Sequence, residues 1–275
     1  NFDQYIDFVY SLALDQTKSV YPTYTDGIKT KEDFITRAKK SFARENEEIL
    51  LFEVEGKVEG WIHYYALTED KCLSFCTFNI DEYAGVAVNE FIRYVSEKYS
   101  GFTLQFGLPA VNVAVRTALE QLDFSKVDEC HVDVLHFEKY QLQVEATGLK
   151  KVTRENYSEF AKLHAHLDEE MYWNTARILE KLDDWHIYVN EPGDEAVGAI
   201  YYTYFGSMME IFGVDYLEAR YDANVFRNLL VKALNEGKKH GAGSMVFFNG
   251  DEEHDIVAEV GFESIGAYVL YEKVI

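Results

Sequence analysis

The sequence is short of positive charge, and it contains no long apolar run; each shortage excludes a class of protein. Lys and Arg number 26 against 48 Asp and Glu, which gives a net charge of −22 at pH 7. A chain this acidic repels phosphate backbones, so we expect no nucleic-acid partner. The charge suits cationic ligands such as amines, or it serves solubility alone. Because no apolar run reaches the roughly 18 residues of a membrane span, we expect no membrane partner either.

Cysteine is scarce as well, with three residues in a chain of 275. That number does not build a disulfide scaffold and is typical of a reducing compartment, so we expect a cytoplasmic protein. Cys72, Cys76, Cys130 and the neighbouring His131 match no zinc-binding spacing, and we expect buried free thiols without a metal site. The sequence begins at Asn1 with no signal-peptide pattern, and what precedes Asn1 is left open.

The sequence does contain a long internal repeat. Phe124, in QLDFSKVDECHVDVLHF, and Phe262, in VGFESIGAYVLYEKVI, stand in similar surroundings 138 positions apart. The same offset superimposes further pairs of segments: 58–65 on 196–203, and 88–95 on 226–233. One offset that aligns several separate segments predicts two tandem copies of one domain rather than a short-period solenoid.

We place the boundary near 141–152 and predict an N-terminal domain of residues 1–140 and a C-terminal domain of residues 141–275. Apolar periodicity predicts the same order of elements in both. Each begins with a helix and a meander of three strands, then continues with a helix, a strand, a second helix and a terminal strand region. This order indicates a mixed α/β or α+β sandwich in each copy.

The end of each copy carries a family resemblance. An Asn follows the predicted fifth strand, and a Phe, preceded by Gly in the second copy, ends the last helix. The matching residues are Asn112, Val115 and Phe124 in the first copy and Asn249, Gly261 and Phe262 in the second. Together with the element order, this pattern resembles the GNAT superfamily of N-acetyltransferases over almost the whole chain. The resemblance implies two GNAT-like acyl-CoA N-acyltransferase domains, each a mixed, mostly antiparallel sheet flanked by helices.

The resemblance also implies a site for acetyl-CoA as co-substrate. The family binds pyrophosphate on an R/Q-x-x-G-x-G/A loop, where small residues let backbone N–H groups and a helix N-terminus reach the phosphates. The cofactor-binding residues implied in the second copy are Val214, Arg220, Tyr221, Asn224 and Phe226, with residues 215–226 around the pyrophosphate. The first copy has Val86 where the second has Asn224, and Asn tolerates a left-handed backbone better. We therefore expect the first copy to be degenerate and the second to be active.

The family's catalytic groups are altered in both copies. Many members use a Tyr four residues before the Gly-Phe pair as the acid for the leaving thiolate, but Leu119 and Val257 stand there. A base for the amine often comes from a Glu on the fourth strand, a role that the resemblance gives to Glu210. The other interpretation of Glu210 is a solvent-facing strand residue in an acidic protein.

The stretch LHAHLDEEMYW at 163–173 combines histidines, carboxylates and aromatic residues. His164 and His166 are two apart on a predicted helix and face away from each other, so they cannot bind one metal ion. In the family this segment borders the acceptor site. It is therefore either an acidic, aromatic wall for a cationic amine or a plain amphipathic helix.

We expect an N-acetyltransferase that transfers acetyl from acetyl-CoA to an unidentified primary amine, with the first copy as a structural partner. One alternative is a catalytically inactive GNAT-fold binding or regulatory protein that uses the inter-domain cleft. Another is a transferase for a different acyl group, with Phe226 reshaping the donor site. The sequence leaves the acceptor and the oligomeric state open.

Overall fold

The chain folds into two compact units. The structure, a computed structural model, describes residues 2–21, 24–25, 27–169 and 171–275. Unit 1 consists of Asn1–Cys130 together with Ile265–Ile275, and unit 2 is His131–Ser264. Among the described residues, each helix is too short or too polar to cross a membrane.

Unit 1 is a mixed sheet with helices on both faces. Its helices are α1 (Ile6–Ala13), α2 (Lys31–Ser41), α3 (Ala84–Lys98) and α4 (Val113–Gln121). Its strands are β1 (Glu47–Val54), β2 (Lys57–Leu67), β3 (Cys72–Ile80), β4 (Thr103–Pro109) and most of β11 (Glu263–Val274), in the spatial order β1-β2-β3-β4-β11. Of these neighbours, β3 and β4 are parallel and the other pairs are antiparallel.

Unit 2 repeats the same arrangement. Its helices are α5 (Tyr157–His164), α6 (Thr175–Glu180), α7 (Ala223–His240) and α8 (Asp251–Glu259). Its strands are the second half of β5 (Ser125–His136), β6 (Leu149–Lys151), β7 (His186–Asn190), β8 (Gly198–Phe205), β9 (Met208–Tyr216) and β10 (Ser244–Asn249), in the spatial order β5-β10-β9-β8-β7-β6. Here β9 and β10 are parallel and the other pairs are antiparallel.

The last strand of each sequence repeat completes the sheet of the other repeat. In unit 2, β10 pairs with His131–His136 of β5. In unit 1, β4 pairs with Tyr268–Val274 of β11. The two units therefore differ from the predicted division between residues 140 and 141. The prediction followed sequence order, whereas each final strand takes its hydrogen-bonding partner from the other half of the chain.

Aromatic residues fill the core on both faces of each sheet. In unit 1 the rings of Phe75 and Phe106 lie 4.4 Å apart beneath α3 and α4, and Phe34 of α2 stacks on Trp61 at 5.3 Å on the other face. In unit 2 the aromatic strand residue Tyr202 is fully buried. Burying each such ring contributes about 1.5–3 kcal/mol, so most of the strand aromatics serve packing.

The two sheets share an irregularity that marks them as copies. The β2–β3 register shifts between His63 and Tyr64, so that Cys76 has no partner on β2. The β8–β9 register shifts between Tyr201 and Tyr202 and leaves out Phe212 in the same way. Such a β-bulge bends its strand and increases the local twist. The bulge therefore separates β3 or β9 from the parallel strand on its other side.

Candidate functional site

The two parallel strands of unit 2 part at the bulge. Their ladder runs from Met208 opposite Ser244 to Ile211 opposite Phe247 and ends there. Beyond it, Gly213–Tyr216 of β9 pair with β8 on one edge, while the described residues of β10 pair with none of them. We call the space between Gly213–Tyr216 and the end of β10 the unit 2 gap. A free strand edge of this kind can pair with an extended ligand.

The helix α7 follows β9 after the loop at 217–222, and its first turn is capped by a carboxylate. Asp222 Oδ1 accepts hydrogen bonds from the backbone N–H groups of Asn224 at 2.8 Å and Val225 at 3.1 Å. An anion bound at a helix N-terminus takes these same donors. Asp222 thus occupies the position that a phosphate would need.

Two tyrosines cross the end of the unit 2 gap. The Tyr216 hydroxyl donates to Glu253 Oε1 at 3.1 Å, and the Tyr221 hydroxyl donates to the Glu252 carbonyl at 2.6 Å. The two rings meet edge to face at 5.4 Å. Glu253 lies in the first turn of α8, and burial raises the pKa of its carboxyl. These contacts tie the β9–α7 loop to α8.

A buried amide at the end of β10 lacks one hydrogen bond. Asn249 is 2% exposed; its Nδ2 donates to Asp133 Oδ2 at 2.7 Å, but its Oδ1 accepts from no described residue. The same Asp133 oxygen also bonds His254 Nδ1 at 3.1 Å, and the His254 ring stacks on His131 at 3.9 Å. Since an unsatisfied buried acceptor is costly, Asn249 Oδ1 is suited to an N–H donor from a ligand.

Two of the sequence-predicted residues lie on β9, one before the stretch that borders the gap and one within it. Glu210 is half-buried on β9, in register with Thr203 and Val246. Val214, also half-buried on β9, packs against the core beneath α7 and α8.

The remaining predicted residues follow β9. Arg220 is exposed and pairs with Glu218 at 3.2 Å. Tyr221 belongs to the tyrosine pair, and the backbone N–H of Asn224 bonds Asp222. Phe226 is fully buried in the core of unit 2, so its ring packs the helix against the sheet. Leu119 and Val257, at the positions of the family's acid, are fully buried too.

The equivalent gap in unit 1 is filled by the chain itself. The parallel pairing there stops at Leu73 opposite Leu104. Beyond it the segment Lys18–Tyr21 enters. Its Lys18 carbonyl accepts from the Ile80 N–H of β3 at 3.0 Å, and its Tyr21 N–H donates to the Gly107 carbonyl of β4 at 3.3 Å. The segment therefore bonds both separated strands and lies in the gap between them.

Side chains anchor this segment. Asn112 Nδ2 donates to the Ser19 carbonyl at 2.9 Å, while Asn112 Oδ1 caps α4. Val20 is 3% exposed within the core beneath α3 and α4. Asn112 and Asn249 are the two Asn residues of the family pattern: one holds the chain's own carbonyl, and the other has an open acceptor.

The faces of the two sheets opposite α3–α4 and α7–α8 differ in polarity. In unit 1, Glu47 accepts hydrogen bonds from Arg37 at 2.7 and 2.9 Å and from Arg44 at 2.6 Å, and its Oε2 lies 2.9 Å from His63 Nε2. Glu47, His63 and Cys76 offer atoms within 4.8 Å of one another, a spacing that suits a metal ion. Arg37 also bonds Cys76 at 2.8 Å, so guanidinium groups already occupy the place of a cation. Burial raises the pKa of the Cys76 thiol to about 12.

In unit 2 the corresponding face is aromatic. Glu47 and His63 are replaced, at the repeat offset, by Trp185 and Tyr201, and the bulge residue is Phe212. Phe212 packs on Trp185 at 5.0 Å. An open cleft of about 400 Å³, which we call the aromatic cleft, is lined by Trp173, Lys181, Asp184, Trp185, His186, Thr203, Tyr204, Phe205 and Phe212.

A buried histidine connects this face to the segment 163–173. His164 Nδ1 lies 2.8 Å from Asp215 Oδ2, and His164 Nε2 lies 2.8 Å from the Trp173 carbonyl. Both partners are acceptors, so the ring carries two N–H groups and a positive charge. Burial opposes that charge, but Asp215 outweighs it and the pKa of His164 is raised. His166 is exposed and bonds only locally to the Leu163 carbonyl among the described residues, so the two histidines share no ligand.

Sequence reasoning missed two parts of this arrangement. Asp222 stands directly before the periodic run of α7, which is the usual position of an N-cap residue, so its role was readable. The insertion of Lys18–Tyr21 carries no local signal, because it depends on strands far along the chain. Glu170, within the segment 163–173, lies outside the described residues.

No family model matches the sequence, and neither does any curated protein. Solved structures do match. A GCN5-related N-acetyltransferase from Sphaerobacter thermophilus superimposes with a TM-score of 0.65 and 13% identity over 90% of this chain and 86% of its own. One from Kribbella flavida gives 0.56 and 12% over 87% and 94%. A tandem GNAT protein from the clavulanic acid biosynthesis pathway gives 0.54 and 13% over 97% and 95%.

These structures confirm the predicted fold. Together with the shared bulge and element order, they show two tandem domains of the GNAT fold, each a mixed, mostly antiparallel sheet flanked by helices. At 12–13% identity the likeness extends to the fold alone. What the chain does with that fold depends on its own residues.

Proposed function

We propose that this protein is an N-acetyltransferase that binds acetyl-CoA in the unit 2 gap and transfers the acetyl group to a primary amine. The observation that carries the proposal is the contrast between the two gaps. Lys18–Tyr21 bond both strands of the unit 1 gap, whereas the strand edge at Gly213–Tyr216 has no partner on β10. In this proposal unit 1 is a structural partner.

The unit 2 gap offers two kinds of contact to the donor. The pantetheine arm of acetyl-CoA is extended and contains amide groups, so it can pair with the free edge of β9 without any particular side chain. One of its amide N–H groups would satisfy Asn249 Oδ1, which has no described donor. Arg220, exposed beside the start of α7, is the nearest predicted contact for the pyrophosphate.

The chemistry requires one base and a positioned thioester. The ammonium group of the acceptor loses a proton to Glu210, and its nitrogen attacks the carbonyl carbon. The C–S bond then breaks, and the thiolate of CoA takes up the second proton released by the nitrogen. Val257 is buried and apolar, so the acid used by many family members is missing at that position. The rate would depend mainly on positioning, which can supply several orders of magnitude.

A second candidate is a binding protein that does not use CoA. Asp222 favours it, because its carboxylate takes the two N–H groups that a phosphate would bind, and Glu252 and Glu253 add acidic residues nearby. Under this reading the GNAT fold is retained and the donor site is lost.

The two candidates separate in a thermal titration with acetyl-CoA and free CoA. A ligand specific to the native state stabilises by about 2.7 kcal/mol at 100 times its Kd, which is an easily measured shift in Tm. We expect such a shift in the wild-type protein and a much smaller one in Asn249→Ala. The matched variant Asn112→Ala should lower the starting Tm but keep the ligand-induced shift. Absence of any shift at millimolar CoA would exclude the transferase and leave the binding protein.

A further inference from the structure

The residues that line the aromatic cleft of unit 2 are not those of the unit 2 gap. Their chemistry indicates what kind of ligand the cleft can bind. We propose that it binds the acceptor, and that the acceptor is an amine carrying a flat apolar group, of the arylalkylamine type. The role of this ligand as acceptor rests on the proposed function. Its binding does not, and it is tested below without acetyl-CoA.

The volume and the walls of the cleft fit such a molecule. About 400 Å³ lies within the range of small-molecule sites. The indoles of Trp173 and Trp185 meet at 5.3 Å and nearly at right angles, with Phe212 5.0 Å from Trp185. Rings at such angles leave faces and edges on which another ring packs favourably. The exposed Phe205 forms part of the rim.

Rings make up most of the cleft lining, and its other side chains are Lys181, Asp184 and Thr203. Lys181 and Asp184 supply one charge of each sign, and the Thr203 hydroxyl already donates to the Asp184 carbonyl at 3.0 Å. One ammonium group and one ring match what the lining offers.

Two observations favour a cation over an anion. The Lys181 ammonium lies 5.4 Å from the centre of the Trp173 ring, so the indole face already receives a positive charge. The cleft also adjoins the proposed base: Thr203 lines it and is the register partner of Glu210 on β9. An amine whose ring lies in the cleft would therefore have its nitrogen directed toward Glu210.

The protein's own fluorescence reports binding, because two of its three tryptophans line the cleft. We would titrate 2-phenylethylamine into the full chain, with n-butylamine and 3-phenylpropionate as probes that lack the ring or reverse the charge. The expected result is saturable quenching by 2-phenylethylamine, at least about tenfold tighter than by either other probe. Equal binding of n-butylamine, tighter binding of 3-phenylpropionate, or no quenching would overturn the proposal.

Two variants locate the site. Phe205→Ala should weaken the binding of 2-phenylethylamine about tenfold, whereas Phe42→Ala, which removes another exposed Phe, in unit 1, should leave it unchanged. Lys181→Met should strengthen binding several-fold, since it removes a like charge and uncovers the Trp173 face. Weaker binding in Lys181→Met would point to an anionic ligand. If the amine binds as expected while acetyl-CoA causes no thermal shift, the proposed function fails and the amine site stands.

Discussion

The two units contain the same break between parallel strands, but unit 1 fills it with its own chain whereas unit 2, over its described residues, does not. In unit 1, Lys18–Tyr21 bond to β3 and β4 and bury Val20 between the sheet and α3–α4. In unit 2 the free edge of β9 faces the gap, and the side chains of Tyr216 and Tyr221 reach across its end. One copy uses the bulge to stabilise its fold, while the other keeps an edge that a ligand can pair with.

The sheet faces opposite α3–α4 and α7–α8 also differ, and again unit 1 is closed where unit 2 is open. Glu47 and its two arginines satisfy one another in unit 1, so that face is a closed network of ion pairs. Trp185 and Phe212 form an open aromatic cleft at the corresponding place in unit 2. The two copies of the domain therefore differ on both faces of the sheet, and in each case the open side belongs to unit 2.

The largest expected effect comes from disturbing the filled gap. Val20→Asp places a charge at a position that is 3% exposed, and we expect it to lower the free energy of unfolding by about 4 kcal/mol. The control is Val127→Asp, at an exposed position of the same unit, which should change stability by less than about 0.5 kcal/mol. Urea denaturation measures both. If the two variants were equally stable, Lys18–Tyr21 would not occupy the gap.

A somewhat smaller effect is expected from the ion-pair network. Burial alone would raise the pKa of Glu47, but hydrogen bonds from Arg37 and Arg44 lower it from 4.5 to about 2. A shift of this size corresponds to about 3 kcal/mol, which Glu47→Gln should lose at pH 7. Glu53→Gln, at an exposed position on the same strand, is the control.

The pH dependence of Glu47 has a defined sign. Its folded pKa lies below the unfolded value, so its contribution is fully present above about pH 4.5 and is lost as pH falls toward about 2. The difference in unfolding free energy between wild type and Glu47→Gln should therefore shrink across that interval. A difference that stayed constant would show that the network does not hold Glu47 ionised.

Most of the fold could be predicted from the sequence, because its signals are local and repeated. Gly60 and Gly198 keep the repeat offset, Asn249 ends β10, and Asn112 follows β4 as the N-cap of α4. The exchange of β5 and β11 could not be predicted, because hydrophobic alternation specifies that a strand forms and not which sheet it joins. The bulges at Cys76 and Phe212 could not be predicted either, because a bulge depends on the strand with which its own strand pairs.

The candidate site was predicted less completely. The sequence pointed to β9 and the start of α7 as the cofactor site, and the unit 2 gap lies beside them. The motif alignment put Phe226 at a ligand, whereas its ring lies in the core. An apolar residue on a helix is ambiguous until the helix is oriented. The cofactor roles of Val214, Arg220, Tyr221 and Asn224 and the catalytic role of Glu210 remain predictions.

The smallest expected effect on stability comes from Asp222, and it bears most directly on the comparison between the units. Asp222→Ala should cost about 1 kcal/mol by removing the cap of α7. It should also tighten CoA binding up to about tenfold, because it frees the Asn224 and Val225 N–H groups for phosphate. Asp222→Asn keeps a cap without the charge and should fall between. Asp255→Ala, which removes one exposed charge from α8, controls for net charge. If the Asp222 carboxylate stands where a phosphate would bind, its removal should lower stability and raise the affinity for CoA. Unchanged affinity in both Asp222 variants would mean that α7 does not hold pyrophosphate, and unit 2 would then have lost its donor site as unit 1 has.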